Sequence, residues 1–265
     1  MTTREVYDDL AANYLSPGRR STTTVFREIQ RSPIREMLLK VGRTVGYFSE
    51  MKYLIVGAGP LGNLYDWLPS HQLIGHYLDE VDPSHPTYVD ASPVILEHCR
   101  RFVSDKLSVL APSSAIGEFV CGFAEALTKQ VPRASQHVVI AGLCDHFQTD
   151  VFFRECADVL RPGGVLITTF PADTINATIR REIYKIPETY TRFMVDGEVR
   201  LVPSRLMNTE ALSQCYLRHG FKKVRATNVM LDGYEPSPTL LDASQRLGQS
   251  LQDLPILVAG IGYKP

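Results

Sequence analysis

Apolar and polar positions change period several times along this chain, and the changes mark its elements. Between Met51 and Phe170, short runs of apolar residues end in glycines, acids or turn residues. Lys52-Tyr53-Leu54-Ile55-Val56 stops at Gly57-Ala58-Gly59-Pro60, Pro86 to Val89 at Asp90, and His137 to Ala141 at Gly142. Glu118 to Phe123 and Val165 to Phe170 have the same character. Apolar, β-branched runs of this length read as strands buried on both faces of a parallel sheet. Helical spacing fills the gaps: Leu61 to Leu68, then a helix opened by Ser92-Pro93 and running through Ile95, Leu96 and Cys99 to Phe102, then Asp150 to Leu160. Arg161-Pro162-Gly163-Gly164 reads as a turn before the fifth strand. Strands alternating with helices predict a parallel sheet with right-handed crossovers.

Either side of this region the rhythm differs. Thr3 to Phe48 reads as helical, broken at Pro17-Gly18, with a second helix capped by Thr24 or a neighbouring threonine and a third opening at Ser32-Pro33. Pro171 to Arg205 carries two tyrosines, several charges and the turn Asp196-Gly197, the pattern of a short hairpin or cap. Thr209 to His219 is helical, with Gly220 as its C-cap. Lys222 to Leu231 and Pro255 to Tyr263 are closing strands, joined by a linker with a helix of its own. Strands so close together predict an antiparallel edge on the sheet. The organisation expected is residues 1–50 as an N-terminal helical cap, and 51–265 as the α/β domain with a cap insertion at 171–205.

A chain of 265 residues and 29.7 kDa buries a substantial core as one domain. A net charge of −1 with no basic stripe argues against nucleic acid as a partner. No apolar run is long enough to span a bilayer. Met1-Thr2-Thr3-Arg4-Glu5 has no apolar signal core, so a cytoplasmic location is expected. The five cysteines are odd in number and form no C-x-x-C pair, which suggests neither a disulfide framework nor a zinc site. The seven histidines show no metal-ligand spacing either, so no metal is expected.

The glycine cluster after the first strand is the richest motif. Gly57 and Gly59 allow a sharp turn and a close approach of the backbone to a ligand. The start of the next helix favours an anionic group, phosphate or carboxylate. The plain alternatives are a tight turn that binds nothing and, for Asp90, an acid capping the helix at Ser92.

With these pieces in order, the chain resembles the class I S-adenosylmethionine-dependent methyltransferases. The segment Val159-Leu160-Arg161-Pro162-Gly163-Gly164-Val165-Leu166-Ile167 is similar to the one before that family's fifth strand. The resemblance implies a Rossmann-like, seven-stranded mixed sheet, mainly parallel, with helices on both faces. It implies S-adenosyl-L-methionine as cofactor, with Gly57, Ala58, Gly59 and Pro60 around its methionyl part. Asp90, followed by Ala91, would hold the ribose hydroxyls, Phe123 and Ala124 would flank the adenine, and Gly142, Leu143 and Cys144 would line the sulfonium side. Ile55 and Gly122-Phe123 stand where the family often has acids, and the distance to Asp90 implies an insertion around His71 to His85. The order Gly-Ala-Gly-Pro-Leu is also similar to the loop of nicotianamine synthases, which use the same fold to attack the cofactor's carbon chain. A nicotinamide-dependent oxidoreductase fits less well, because Gly62 comes one position too early for the dinucleotide fingerprint.

A sulfonium makes its three attached carbons electrophilic, so positioning supplies much of the rate and a base serves only a protonated nucleophile. Candidate bases are Asp145 and His146; either also reads as a helix cap or, for the histidine, a surface residue. Tyr7, Tyr14, Tyr184 and Tyr190 offer faces that attract a cation, Tyr14 and Tyr184 being the catalytic candidates, against ordinary packing for each. Arg180, Arg181 and Arg205 offer forks for a substrate carboxylate, or solvated surface. Ser113-Ser114 and the cysteines have no nucleophile context. The expectation is methyl transfer to a small, polar molecule, by a monomer or a homo-oligomer. The alternatives are attack on the 3-amino-3-carboxypropyl arm, including closure to azetidine-2-carboxylate, and a binding protein that lost the chemistry.

Overall fold

The computed structural model describes residues 5–9, 22–45, 51–59, 86–107 and 117–265. Seven strands form the main sheet: β1 (Tyr53–Val56), β2 (Thr87–Asp90), β3 (Glu118–Cys121), β4 (Gln136–Ala141), β5 (Leu160–Pro171), β8 (Lys222–Val229) and β9 (Leu257–Tyr263). Their order is β3-β2-β1-β4-β5-β9-β8. The first five pair in parallel, and β9 pairs antiparallel with both β5 and β8. The antiparallel pairing expected at one edge is therefore present, and the reversed strand lies one place in from the rim.

Strand side chains alternate between two cores. Tyr53, Ile55, Val138, Ile140 and Ile167 face the side covered by α1 (Thr22–Ile29), α2 (Arg31–Val45), α3 (Pro93–Leu107), α5 (Asp173–Thr178) and α7 (Pro238–Leu247). Leu54, Val56, Val139, Ala141 and Leu166 face α4 (Thr149–Val159) and α6 (Thr209–Arg218). Apolar residues on both sides of each strand thus bring helices to both faces. Tyr216 of α6 lies so close to β9 that a Cβ on Gly260 or Gly262 would meet its ring at 2.7 or 2.4 Å. Its buried hydroxyl bonds Thr168 Oγ1 at 3.0 Å and donates to the Gly260 carbonyl at 2.9 Å.

Local chemistry explains most element ends. Ser92 caps α3 through Ile95 N–H at 3.1 Å, and Gly220, at φ +83°, follows the end of α6. Asp196 and Gly197, both at positive φ, turn β6 (Tyr190–Val195) into β7 (Glu198–Pro203), the hairpin expected there. Two boundaries differ from expectation. Helix α1 begins at Thr22, so Thr24 lies inside it. Arg161 to Gly164 is no separate turn but the start of β5: Gly163 N–H donates to Lys264 O at 3.0 Å and Gly164 O accepts Lys264 N–H at 2.8 Å, extending the pairing beyond β9. The helix expected at Leu61 to Leu68, the insertion around His71 to His85 and Ser113-Ser114 lie outside the described residues.

Candidate active site

Register aligns the strand tips. Val56 pairs with Val89 on one side and with Ala141 on the other, and Ala141 pairs with Thr168. Gly57, Asp90, Gly142 and Thr169 therefore follow at one level, on the side where strand order reverses between β1 and β4. Open α/β sheets carry their ligand crevice at that place. Here it is a cavity of about 1130 Å³, at or above the usual range for small-molecule sites of ~300–1,000 Å³.

One wall is main chain and strand tips. Gly57 lies at φ +63°, and a Cβ there would stand 2.9 Å from the Phe147 ring. The loop amides are not free: Gly57 and Ala58 N–H donate to the Val89 carbonyl at 2.8 and 3.2 Å, and Gly59 N–H to Asp90 Oδ2 at 3.2 Å. Asp90 Oδ1 accepts Ser92 N–H at 2.9 Å. Burial pushes the Asp90 carboxyl above its ordinary range, helped by the charge of Asp8 and opposed by the amides of Ser92, Gly59 and Ala91. Ser92 Oγ also donates to Asp8, which ties residues 5–9 to this wall.

The opposite wall is built of side chains from distant parts of the chain. Tyr7 meets His146 and Phe193 edge-on, with ring centroids 5.8 and 5.7 Å apart. Asp145 is buried, and its Oδ2 accepts the Ser204 hydroxyl and stands 3.9 Å from Arg180 Nη2. Arg180 is buried too and donates to Ser204 Oγ at 2.7 Å and to the Ser204 and Glu188 carbonyls. Burial pulls its pKa down, and Asp145 and Glu188 oppose that. His146 Nδ1 lies 2.9 Å from the Pro203 carbonyl, which only accepts, so Nδ1 carries the hydrogen. Its Nε2 faces Asp145 Oδ2 at 3.4 Å. Leu143 bridges the two walls in the left-handed region, φ 53°, with its N–H donating to Thr169 Oγ1 at 2.8 Å. Thr169 Oγ1 in turn donates to Gln30 Oε1 at 2.8 Å, which places α1's end against β5.

The crevice brings together Gly57, Gly59, Asp90, Ala91, Phe123, Ala124, Gly142, Leu143, Asp145, His146 and Tyr184. It does not include two expected residues. Ala58 is buried in the core beneath the loop. Cys144 turns inward against α4, its thiol donating to the Thr169 carbonyl at 3.3 Å, and burial pushes its pKa well up. The left-handed Leu143 just before it reverses the chain and sends that side chain inward. Tyr14 and Pro60 lie outside the described residues. One face of Tyr184 is covered by the Arg192 guanidinium, 5.3 Å from the ring centroid, and so is closed to another cation. Of the arginines expected to hold a carboxylate, Arg181 pairs with Glu188 at 2.9 Å on the surface, Arg205 is exposed away from the crevice, and Arg180 is committed to Asp145 and Ser204. Sequence reasoning missed Gln30, Arg192 and Phe193, which also line the cavity. No local pattern along β6 singles out the last two.

Residues 71–168 match the family model described as a methyltransferase domain. That match spans a little over a third of the chain, and the strand order is that of the class I methyltransferase fold. Three solved structures share the methyltransferase fold. Magnesium protoporphyrin IX methyltransferase from Synechocystis PCC 6803 is 10% identical, TM-score 0.59, over 99% of this chain and 97% of its own. A chain of the complex formed by the Haloferax volcanii Trm112 methyltransferase activator is 11% identical, TM-score 0.59, over 98% and 97%. An S-adenosylmethionine-dependent methyltransferase from Mesorhizobium loti is 14% identical, TM-score 0.52, over 85% and 96%. Identities this low bear on fold alone. A search of curated proteins finds no match.

The crevice fits S-adenosylmethionine, the cofactor that the sequence resemblance implies. Asp90 accepts amide hydrogens from Gly59 and Ser92, while a carboxylate has about four lone-pair sites. Capacity for two hydroxyl donors remains. Phe123, 50% exposed, offers an apolar face beside Ala124. Among the described residues no helix is long and apolar enough to cross a membrane.

Proposed function

We propose that the chain transfers the methyl group of S-adenosylmethionine to a small, polar molecule bound beneath the hairpin β6–β7 and residues 5–9. One observation carries this reading. A single cavity runs from Asp90 at the tip of β2 to His146, Tyr184 and Phe193, so both partners would share one chamber. Bound there, the cofactor supplies an electrophilic methyl carbon. Asp90 would accept the ribose hydroxyls, Phe123 and Ala124 would flank the adenine, and Gly142 and Leu143 would line the side of the sulfonium. The amides of Gly57, Ala58 and Gly59 already have acceptors, so this part of the loop would contribute its turn and its closeness, not free donors.

The other wall positions. Asp145 is held by Ser204 and Arg180, and both ring nitrogens of His146 face protein groups. These residues shape and dry the chamber more readily than they take a proton, which suits an acceptor that arrives deprotonated. Residues 1–50 and 171–205 would act as the cap. The matching family and the solved relatives are methyltransferases, which weighs against attack on the aminocarboxypropyl arm. Incubation with labelled cofactor and a fractionated metabolite extract tests the reading. S-adenosylhomocysteine is the expected product. Methylthioadenosine in its place, or no turnover with any fraction, would reject methyl transfer.

A further inference from the structure

Three arginines line the cavity: Arg27, Arg180 and Arg192. Arg133, Arg181, Arg200, Arg218 and Arg246 each pair with a carboxylate on the surface, and the buried Arg180 faces Asp145. Among the described residues no carboxylate lies within ion-pair reach of Arg192. Among the described residues its one acceptor is a neutral sulfur, Met194 Sδ, 3.2 Å from Nη2, and its buried Nε has none. The side chain is half-buried, lines the cavity, and lies over the Tyr184 ring at 5.3 Å. A partly desolvated cation without a counter-ion is unfavourable, and a guanidinium fork fixed on an aromatic face is already ordered for a planar, bidentate acceptor. Five acids share the cavity. Asp8 and Asp90 bond Ser92, Glu125 accepts the Gln148 amide and Asp145 faces Arg180, while Glu5 is not within ion-pair reach of Arg192. Next to Arg192 the wall turns apolar and aromatic, with Phe193 and Tyr7 in edge contact.

We propose that the methyl acceptor is a small organic acid, its carboxylate held by the Arg192 fork over Tyr184 and its apolar body lying against Phe193 and Tyr7. The inference deepens the methyl-transfer reading and rests on it.

The test uses benzoate, phenylacetate and hexanoate, each beside its primary amide, titrated calorimetrically into the protein saturated with S-adenosylhomocysteine. At least one acid is expected to bind tenfold or more tightly than its amide. Arg192→Gln should erase that preference, Arg192→Lys should keep part of it, and both variants should bind S-adenosylhomocysteine as the unaltered protein does. The proposal is overturned if no acid outbinds its amide, if the preference survives in Arg192→Gln, or if Arg192→Gln weakens S-adenosylhomocysteine equally, which would give the arginine to the cofactor's own carboxylate. Failure of the unaltered protein to bind S-adenosylhomocysteine would count against the methyl-transfer reading instead. The acid-against-amide comparison, repeated without it, would still report on Arg192.

Discussion

The two walls of the crevice are made in different ways. The wall at β1 to β3 is set by backbone: strand register brings Gly57 and Asp90 level, and the polar partners of Asp90 are amides of neighbouring turns. The wall under the hairpin is set by side chains that meet across long stretches of sequence, Asp145 with Ser204 and Arg180, His146 with Tyr7 and Phe193. The first wall should tolerate change in most of its side chains, because few of them define it. The second depends on each partner, since removing one strands another in a buried place. Under the proposed methyl transfer, cofactor and acceptor would call for that division: constant geometry on one side, adjustable chemistry on the other.

Breaking the side-chain wall should have the largest effect. Arg180→Met leaves Asp145 buried without its cation, and the loss expected is ~3–5 kcal/mol of folding stability by urea titration; Arg180→Met with Asp145→Asn should recover much of it. On the backbone wall, Asp90→Ala should weaken S-adenosylhomocysteine on the order of 100-fold by calorimetry, as two charge-assisted hydrogen bonds disappear, with a much smaller stability change. Gly57→Ala adds a Cβ against Phe147 at positive φ and should cost about 1–3 kcal/mol. Phe147→Leu in addition would relieve the contact and not the backbone strain.

A pH titration sharpens the contrast last. The folded-state pKa of Asp90 is raised, so its ionised form is the one burial penalises. Its stability contribution in the free protein is full below the unfolded value and fades as pH rises through the raised one. Cofactor binding runs the other way, because hydroxyl donors need the ionised acceptor. Affinity for S-adenosylhomocysteine should therefore fall on acidification at a pH above the ordinary carboxylate range, and Asp90→Asn should flatten that fall.

Legibility in the sequence followed the same division. β1 to β5 stand out because each is apolar on both faces, and the acid and glycines at their ends mark the crevice by position alone. The hairpin was announced by Asp196-Gly197. What could not be read was which side chains turn inward. Cys144 follows Gly142 closely, yet the left-handed Leu143 sends it into the core. Ser204 and Arg180 carry no local pattern that points to Asp145, 59 positions before the serine. Arg192 looks like any charged residue on a half-exposed strand until the three-dimensional structure shows no carboxylate partner for it among the described residues. The glycines marked a sharp turn, but not that β2's carbonyl and carboxylate occupy the amides of Gly57, Ala58 and Gly59.

One feature of the sheet bears on how the polypeptide is made. Strand β8 joins the sheet only through β9, which is synthesised after it and slots between β8 and β5. Until residue 263 has left the ribosome, β5 presents a bare hydrogen-bonding margin and β8 has nowhere to dock. At ~5–20 residues per second, the interval from the end of β5 to the end of β9 lasts roughly 5–20 seconds. A nascent chain in that window offers an open edge to its neighbours on a polysome, and chaperones that shield such edges would find their substrate there.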